Sequence, residues 1–243
     1  EKDNMEQTAL MWAAKNGHVA IMNSLINLGF SQDLDEQDSE GRTALMLAVS
    51  EGELLAVKKL LACNVDVSLT DNGDKTPLMY AAINGNVAIF DLLMEYADSA
   101  DLNMISDESG KTVLMWAAKL GQAAIIERLF SYFRHNDIVP NLNAQDDEGY
   151  TALMLAVLNG NLATVQLLLS NGASLTLTND SGETALIHAV SSCHVDIFNA
   201  LIPHLNTESV NVSDHFGKNA LMWAAEHCLV SVLEALLTNG ADV

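Results

Sequence analysis

Cys193-His194 and His227-Cys228 are the residues of this 243-residue chain best suited by type to hold a metal ion. Thiolates and imidazoles are the ligands zinc prefers. The spacing argues against such a site. No Cys-x-x-Cys pair or other zinc spacing occurs, and the two pairs fall in neighbouring copies of a repeat that would hold them apart. His188 could act as a general base only beside a Ser, Cys or carboxylate, and the sequence pattern places none there. No phosphate-binding glycine loop, zinc-protease helix or nucleophile elbow is present. Asn179-Asp180-Ser181 and Asn211-Val212-Ser213 fit the glycosylation acceptor pattern, but they sit in turns and mean nothing in a cytosolic chain. The expectation is a protein that is not an enzyme, with no cofactor, no metal and no small-molecule substrate.

Bulk composition narrows the partners. The chain is 49% hydrophobic and 18% charged, enough apolar material for a folded core. Its 32 acids against 11 bases give a formal charge of −21. Such a surface repels phosphate backbones and anionic lipid, so neither nucleic acid nor membrane is expected as a partner. It favours a basic protein surface and makes association salt-sensitive. Three scattered cysteines fit a reducing, cytoplasmic setting. No apolar run reaches the roughly 18 residues of a membrane span. The chain opens on Glu1 directly before a repeat and stops at Asn239-Gly240-Ala241-Asp242-Val243, so both ends read as cut from a longer protein.

The elements that must position any functional side chain are visible as a repeated word. Thr8-Ala9-Leu10-Met11-Trp12-Ala13-Ala14 returns at 43–49, 76–82, 112–118, 151–157, 184–190 and, headed by Asn219, at 219–225. The intervals between heads are 35, 33, 36, 39, 33 and 35 residues. Thr at the head suits a helix N-cap, and Pro77 after Thr76 suits the first helical position. Nine residues on stand Gly17, Gly52, Gly85, Gly121 and Gly160, residues that end a helix cleanly. Cys193 and Cys228 take that place in the last two copies, where turns either strained or built differently are expected. Leu25, Leu60, Leu93, Leu129, Leu168, Leu201 and Leu236 keep step seventeen positions after the head, and apolar residues three to four positions earlier share their face of a second helix. Polar turns such as Asp146-Asp147-Glu148-Gly149 precede the first helices. The third copy moves its glycine to Gly73, leaving Asp74 in the usual place, and the first copy has Glu6 there, which predicts a distorted turn.

A period near 33 residues with two helices and a turn resembles the ankyrin-repeat family over the whole chain. Asn171-Gly172-Ala173 and Asn239-Gly240-Ala241-Asp242 are similar to the family's stretch closing the second helix. The resemblance implies one all-α ankyrin-repeat solenoid over residues 1–243. It would hold about seven helix–turn–helix repeats, starting near 3, 38, 71, 107, 146, 179 and 214, with projecting β-turn loops. One departure is systematic: Met11, Met46, Met79, Met115, Met154 and Met222, with Ile187, stand where the family has His. This variant is similar to ankyrin arrays of some protists. It predicts that the family's Thr–His hydrogen bonding is lost and replaced by apolar packing. Connections lengthened at 97–102 and 131–141 predict surface loops, either tolerated insertions or a special contact site. The terminal repeats carry no polar cap, so exposed end faces are expected.

In the family, the fourth position after the head points toward the concave groove. Here it reads Trp12, Leu47, Tyr80, Trp116, Leu155, His188 and Trp223, and all three tryptophans fall on it. The resemblance implies a line of large side chains on the inner face, joined by the variable residues Lys15, Ile83, Lys119, Leu120 and Leu158. Trp and Tyr dominate interface hot spots, and variable surface on a fixed scaffold is where repeat proteins hold specificity. The implied function is protein–protein recognition: a partner, basic or with an apolar segment, lying in the groove. Two alternatives stand beside it, an intramolecular regulatory module of a larger enzyme such as a kinase, and a secreted host-directed effector.

Overall fold

Each copy of the repeated word starts a helix for a local reason. The Thr at the head of copies one to six lies outside the helix in an extended conformation, and its hydroxyl accepts a hydrogen bond from the amide three residues on. Asn219 does the same in the seventh. These contacts are 3.0–3.3 Å long. Each satisfies one of the amides that a helix start leaves without a partner. In the first and fourth copies the methionine sulfur completes the exchange: Met11 and Met115 accept the backbone N–H of Thr8 and Thr112 at 3.4 and 3.5 Å. The expectation that methionine would substitute packing alone is corrected there. Thioether sulfur is a weak acceptor, and buried at this spot it takes the amide of the capping threonine.

The turn nine residues after each head is left-handed in all seven copies. Its five glycines have φ of 66–80°, and Cys193 and Cys228 have 57° and 55°. The cysteine turns therefore keep the common geometry and carry the strain of a side chain in that region. Glu6 likewise adopts φ 59° and Asp74 58°, the conformation of their glycine counterparts. The turn of the first copy is thus not distorted.

The computed structural model describes residues 2–28, 34–97, 102 and 105–242. They form two compact units, Glu1–Ser109 and Gly110–Val243. The first holds α1 (Ala9–Lys15), α2 (Val19–Asn27), α3 (Ala44–Glu51), α4 (Leu54–Leu61), α5 (Pro77–Asn84) and α6 (Val87–Met94). The second holds α7 (Val113–Lys119), α8 (Ala123–His135), α9 (Ala152–Leu158), α10 (Leu162–Ser170), α11 (Ala185–Ser191), α12 (Val195–Leu201), the short α13 (Thr207–Val210), α14 (Ala220–Glu226) and α15 (Val230–Thr238). In each unit successive first helices stack side by side (α1, α3, α5; α7, α9, α11, α14), with the second helices packed behind them. The architecture is an all-α ankyrin solenoid. Isolated antiparallel bridges, Lys2–Thr8 and Ser213–Asn219 among them, close the base of turns.

The apolar stripes read from the sequence form the core. Met22, Val57, Phe90, Ile126, Val165 and Phe198 are at most 1% exposed. Small residues let the first helices approach: Ala14, Ala48, Ala81, Ala82, Ala117 and Ala118 are fully buried. Neighbouring turns are knitted by single backbone bonds of 2.9–3.0 Å, from Ser39 to Met5, Asn72 to Glu40, Glu108 to Gly73, Asp180 to Glu148 and His215 to Ser181. No repeat buries its own faces, so stability comes from neighbours.

Two features differ from the expected layout, the connection at 131–141 and the exit from α12. The lengthening at 131–141 is not a surface loop at its start: it continues α8 to thirteen residues and buries Phe133. Most of the lengthening at 97–102 lies outside the described residues. After α12 the chain turns through a 3-10 segment, Ile202–His204, that contains Pro203. As expected, the outer repeats have open sides. Ile21 is 51% exposed, whereas Ala56, Ile89, Ile125 and Ile197 in its place are fully buried. Met222 is 50% exposed against 0–1% for Met11, Met46, Met115 and Met154.

Candidate functional site

The turn before each first helix is held from inside by an Asp or, in the sixth repeat, an Asn side chain. One side-chain oxygen of Asp3, Asp38, Asp71, Asp146, Asn179 and Asp214 accepts the amides two and four residues on at 2.8–3.1 Å. The second carboxylate oxygen of three of them reaches an aromatic residue nine positions later. Trp12 Nε1 donates to Asp3 at 2.9 Å, the Tyr80 hydroxyl to Asp71 at 2.7 Å, and Trp223 Nε1 to Asp214 at 3.0 Å. The aromatic ring thus ties the first helix to its own turn.

The electrostatics follow this geometry. The Trp12 indole and the Gln7 amide hold Asp3 below the usual carboxylate range. Burial pushes Asp214 up, but the Lys218 amide, the Trp223 indole and the Phe216 amide outweigh it, and its pKa is lowered. Burial and the bond to Asp71 push the Tyr80 hydroxyl up. Lysines lie over the same rings: Lys15 over Trp12 at 5.6 Å, Lys119 over Trp116 at 5.2 Å and Lys218 over Trp223 at 4.4 Å. His227 stacks on Trp223 with centroids 5.8 Å apart.

The fourth-position residues therefore divide. Trp12 is 48% exposed, and Tyr80, Trp116 and Trp223 are half-buried. Leu47, Leu155 and His188 are only 1, 4 and 3% exposed, so at these three positions there is no surface to offer a partner. His188 is stacked on Tyr150 from the preceding turn, ring centroids 5.5 Å apart. Lys15, Ile83 and Lys119 are partly exposed, and Leu120 and Leu158 are 43% and 40% exposed.

Sequence reasoning missed a column on this face, the residue just before each cap: Gln7, Arg42, Lys75, Lys111, Tyr150, Glu183 and Lys218. Gln7 donates to Asp38 of the next repeat at 3.0 Å. Lys111 Nζ stands 2.9 Å from Asp146 and Lys75 Nζ 3.8 Å from Asp107, again one repeat on. The fixed offset and its run of basic residues were the available signal. With Lys15 and Lys119, this column places six of the eleven Lys and Arg beside the first helices.

The sixth repeat replaces the acid–aromatic tie with Asn179 and His188, whose Nδ2 and Nε2 lie 3.4 Å apart. Glu183 Oε2 is 3.7 Å from the same imidazole nitrogen. Burial holds His188 below its ordinary 6.5, with Glu183 pulling the other way. On acidification the unfolded chain takes up this proton first. The associated stability is complete above the unfolded value and is lost as pH falls from there through the folded value. The melting temperature is expected to fall as pH drops below His188's ordinary 6.5, with a shallower slope in His188→Gln. An unchanged slope in that variant would rule out His188 as the source.

The thiols and imidazoles that opened the sequence reading are dispersed. Cys193 and Cys228 are exposed free thiols. The His194 ring lies against the backbone at Gly160, where a Cβ would sit 3.3 Å from it, while His227 is drawn to Trp223. Among the described residues no group of three His, Cys, Asp or Glu is placed to hold a metal ion. No helix among them is long and apolar enough to cross a membrane.

Comparison with known proteins agrees with this geometry. The family profile "Ankyrin repeats (3 copies)" matches residues 1–71, 54–140, 100–179, 134–214 and 172–243. The chain belongs to the ankyrin-repeat family, whose members generally serve as protein–protein interaction modules. It is similar to the photoreceptor ankyrin repeat protein of Homo sapiens, 35% identical over 96 residues, which are 39% of this chain and 21% of that protein. It is also similar to leucine-rich repeat serine/threonine-protein kinase 1 of Caenorhabditis elegans, 28% identical over 131 residues, 42% of this chain and 5% of that protein. The chain thus spans about a fifth or less of these two relatives. A crystal structure of the human ASB11 ankyrin repeat domain shares the fold, with a TM-score of 0.78 at 24% identity over 96% of this chain and 98% of that one.

Proposed function

We propose that this chain is a non-catalytic protein-recognition module of a reducing, cytoplasmic compartment, with the partner lying along the first-helix side. The observation that carries the proposal is exposed apolar surface beside the first helices within each unit, Trp12 at 48% in the first and Leu120 and Leu158 at 43 and 40% in the second. The turns rigidly position the first of these, and a pre-ordered aromatic surface loses little entropy on binding. The net charge of −21 adds a long-range pull on basic regions of a partner.

Trp223→Ala is a poor test, because it also removes the donor to the buried Asp214 carboxylate. Leu120→Ser and Leu158→Ser remove only exposed apolar surface. A partner recovered by proximity labelling with the intact chain is expected to bind the double variant about tenfold or more weakly in a calorimetric titration. Equal affinities for the two would dismiss this face as the site. The similarity to a large kinase favours one second reading, a regulatory module within a longer enzyme. In that case the first-helix side would hold a segment of the same polypeptide.

A further inference from the structure

We propose that the segment bound on the second unit carries a carboxylate that seats on Lys119, flanked by apolar side chains that cover Leu120 and Leu158. The inference rests on the recognition reading above and specifies its chemistry.

The argument compares equivalent places within the molecule. Lys15 and Lys119 both stand seven residues after their caps, and both lie over the tryptophan three residues earlier. Lys15 has an acid of its own: Glu51, eight residues after the next cap, brings its Oε1 to 3.9 Å. The residue in that place beside Lys119 is Asn159. Its amide nitrogen donates to the Leu155 carbonyl at 2.8 Å, so it supplies no charge. Lys218, the third lysine over a tryptophan, is paired with Glu226. Among the described residues Lys119 alone of the three has no carboxylate within ion-pair distance.

Among the described residues, this cation has no acid at ion-pair distance, in a chain that carries 32 acids. It is partly desolvated by the Trp116 ring beneath it, which strengthens an ion pair made there relative to one in open water. Exposed apolar surface adjoins it: Leu120 follows in sequence, and Leu158 ends α9, which packs on α7. Charges more than about 8 Å away act only weakly at physiological ionic strength. The bulk charge therefore favours basic regions elsewhere on a partner, while the local chemistry here selects an acid set among apolar residues. Within the molecule, the partner's carboxylate takes the part that Glu51 plays for Lys15.

The test uses two fluorescein-labelled synthetic peptides of equal length, one built from Leu, Ala and Glu, the other with Lys in place of every Glu. Binding to the intact chain is read by fluorescence anisotropy. The Glu peptide is expected to bind about fivefold more weakly to Lys119→Glu, and likewise to Asn159→Glu, which supplies the missing internal acid. Neither variant should weaken the Lys peptide, and thermal melts report whether both fold. Leu120→Ser with Leu158→Ser should weaken the Glu peptide as well. If the leucine variants matter but Lys119→Glu and Asn159→Glu do not, the acid preference is overturned and the recognition face stands. If neither peptide binds, or no variant changes binding, both are overturned.

Discussion

Replacing Gly149 with alanine is expected to lower the stability of the second unit by about 3 kcal/mol. Two effects add at this turn. Gly149 has φ 78°, a conformation that costs an L-residue roughly 1–2 kcal/mol. A Cβ there would also sit 2.9 Å from the Asn179 Cα and the Asp180 amide nitrogen, which are backbone atoms of the next turn and cannot rotate away. The control is Gly217→Ala, with φ 76° and nothing within 4 Å of the added carbon. It should cost only the conformational part, about 1 kcal/mol. Chemical denaturation of both variants separates the close approach of stacked turns from backbone strain alone, and equal losses would show that the approach contributes nothing. The reverse exchange, Cys193→Gly, relieves a side chain at φ 57° and should raise stability by about 1 kcal/mol.

Met154→Ala is expected to destabilise by about 2–5 kcal/mol, and Met222→Ala by less than about 1 kcal/mol. The two methionines occupy the same place in their repeats. Met154 is 1% exposed, so its truncation leaves a cavity between packed helices; Met222 is 50% exposed, so water already fills the space beside it. A thermal or urea melt of the pair measures what one repeat gains from the next. Similar losses in the two variants would mean that methionine stabilises its own helix rather than the interface between repeats.

These pairs also show where sequence reasoning stops. Met154 and Met222 sit in near-identical words, Thr151-Ala152-Leu153-Met154 and Asn219-Ala220-Leu221-Met222. Nothing local distinguishes them, because burial is set by the repeat stacked alongside. The capping sulfur of Met11 was equally hidden. Its chemistry was known, but that its atom meets the Thr8 amide depends on the rotamer that packing imposes.

The proposed recognition face was legible as a column of positions and not as a surface. The offset that holds Trp12, Tyr80, Trp116 and Trp223 also holds Leu47, Leu155 and His188, which neighbours cover. His188 lies against Tyr150, a residue thirty-eight positions earlier. The tie from each aromatic to an acid nine residues before it was present in the sequence as a constant spacing. Only the folded turn brings the two within 3 Å.

The sequence by itself determined the repeat length, the caps, the left-handed turns and the two apolar stripes, because each follows from chemistry within a few residues of the chain. Tertiary structure alone decided which members of a repeated column face solvent and which residue of the next repeat stands beside Lys15 and beside Lys119. Those outcomes depend on side chains about 30–40 residues away, brought alongside by stacking, and no local pattern encodes the charge or bulk that a neighbouring repeat will present.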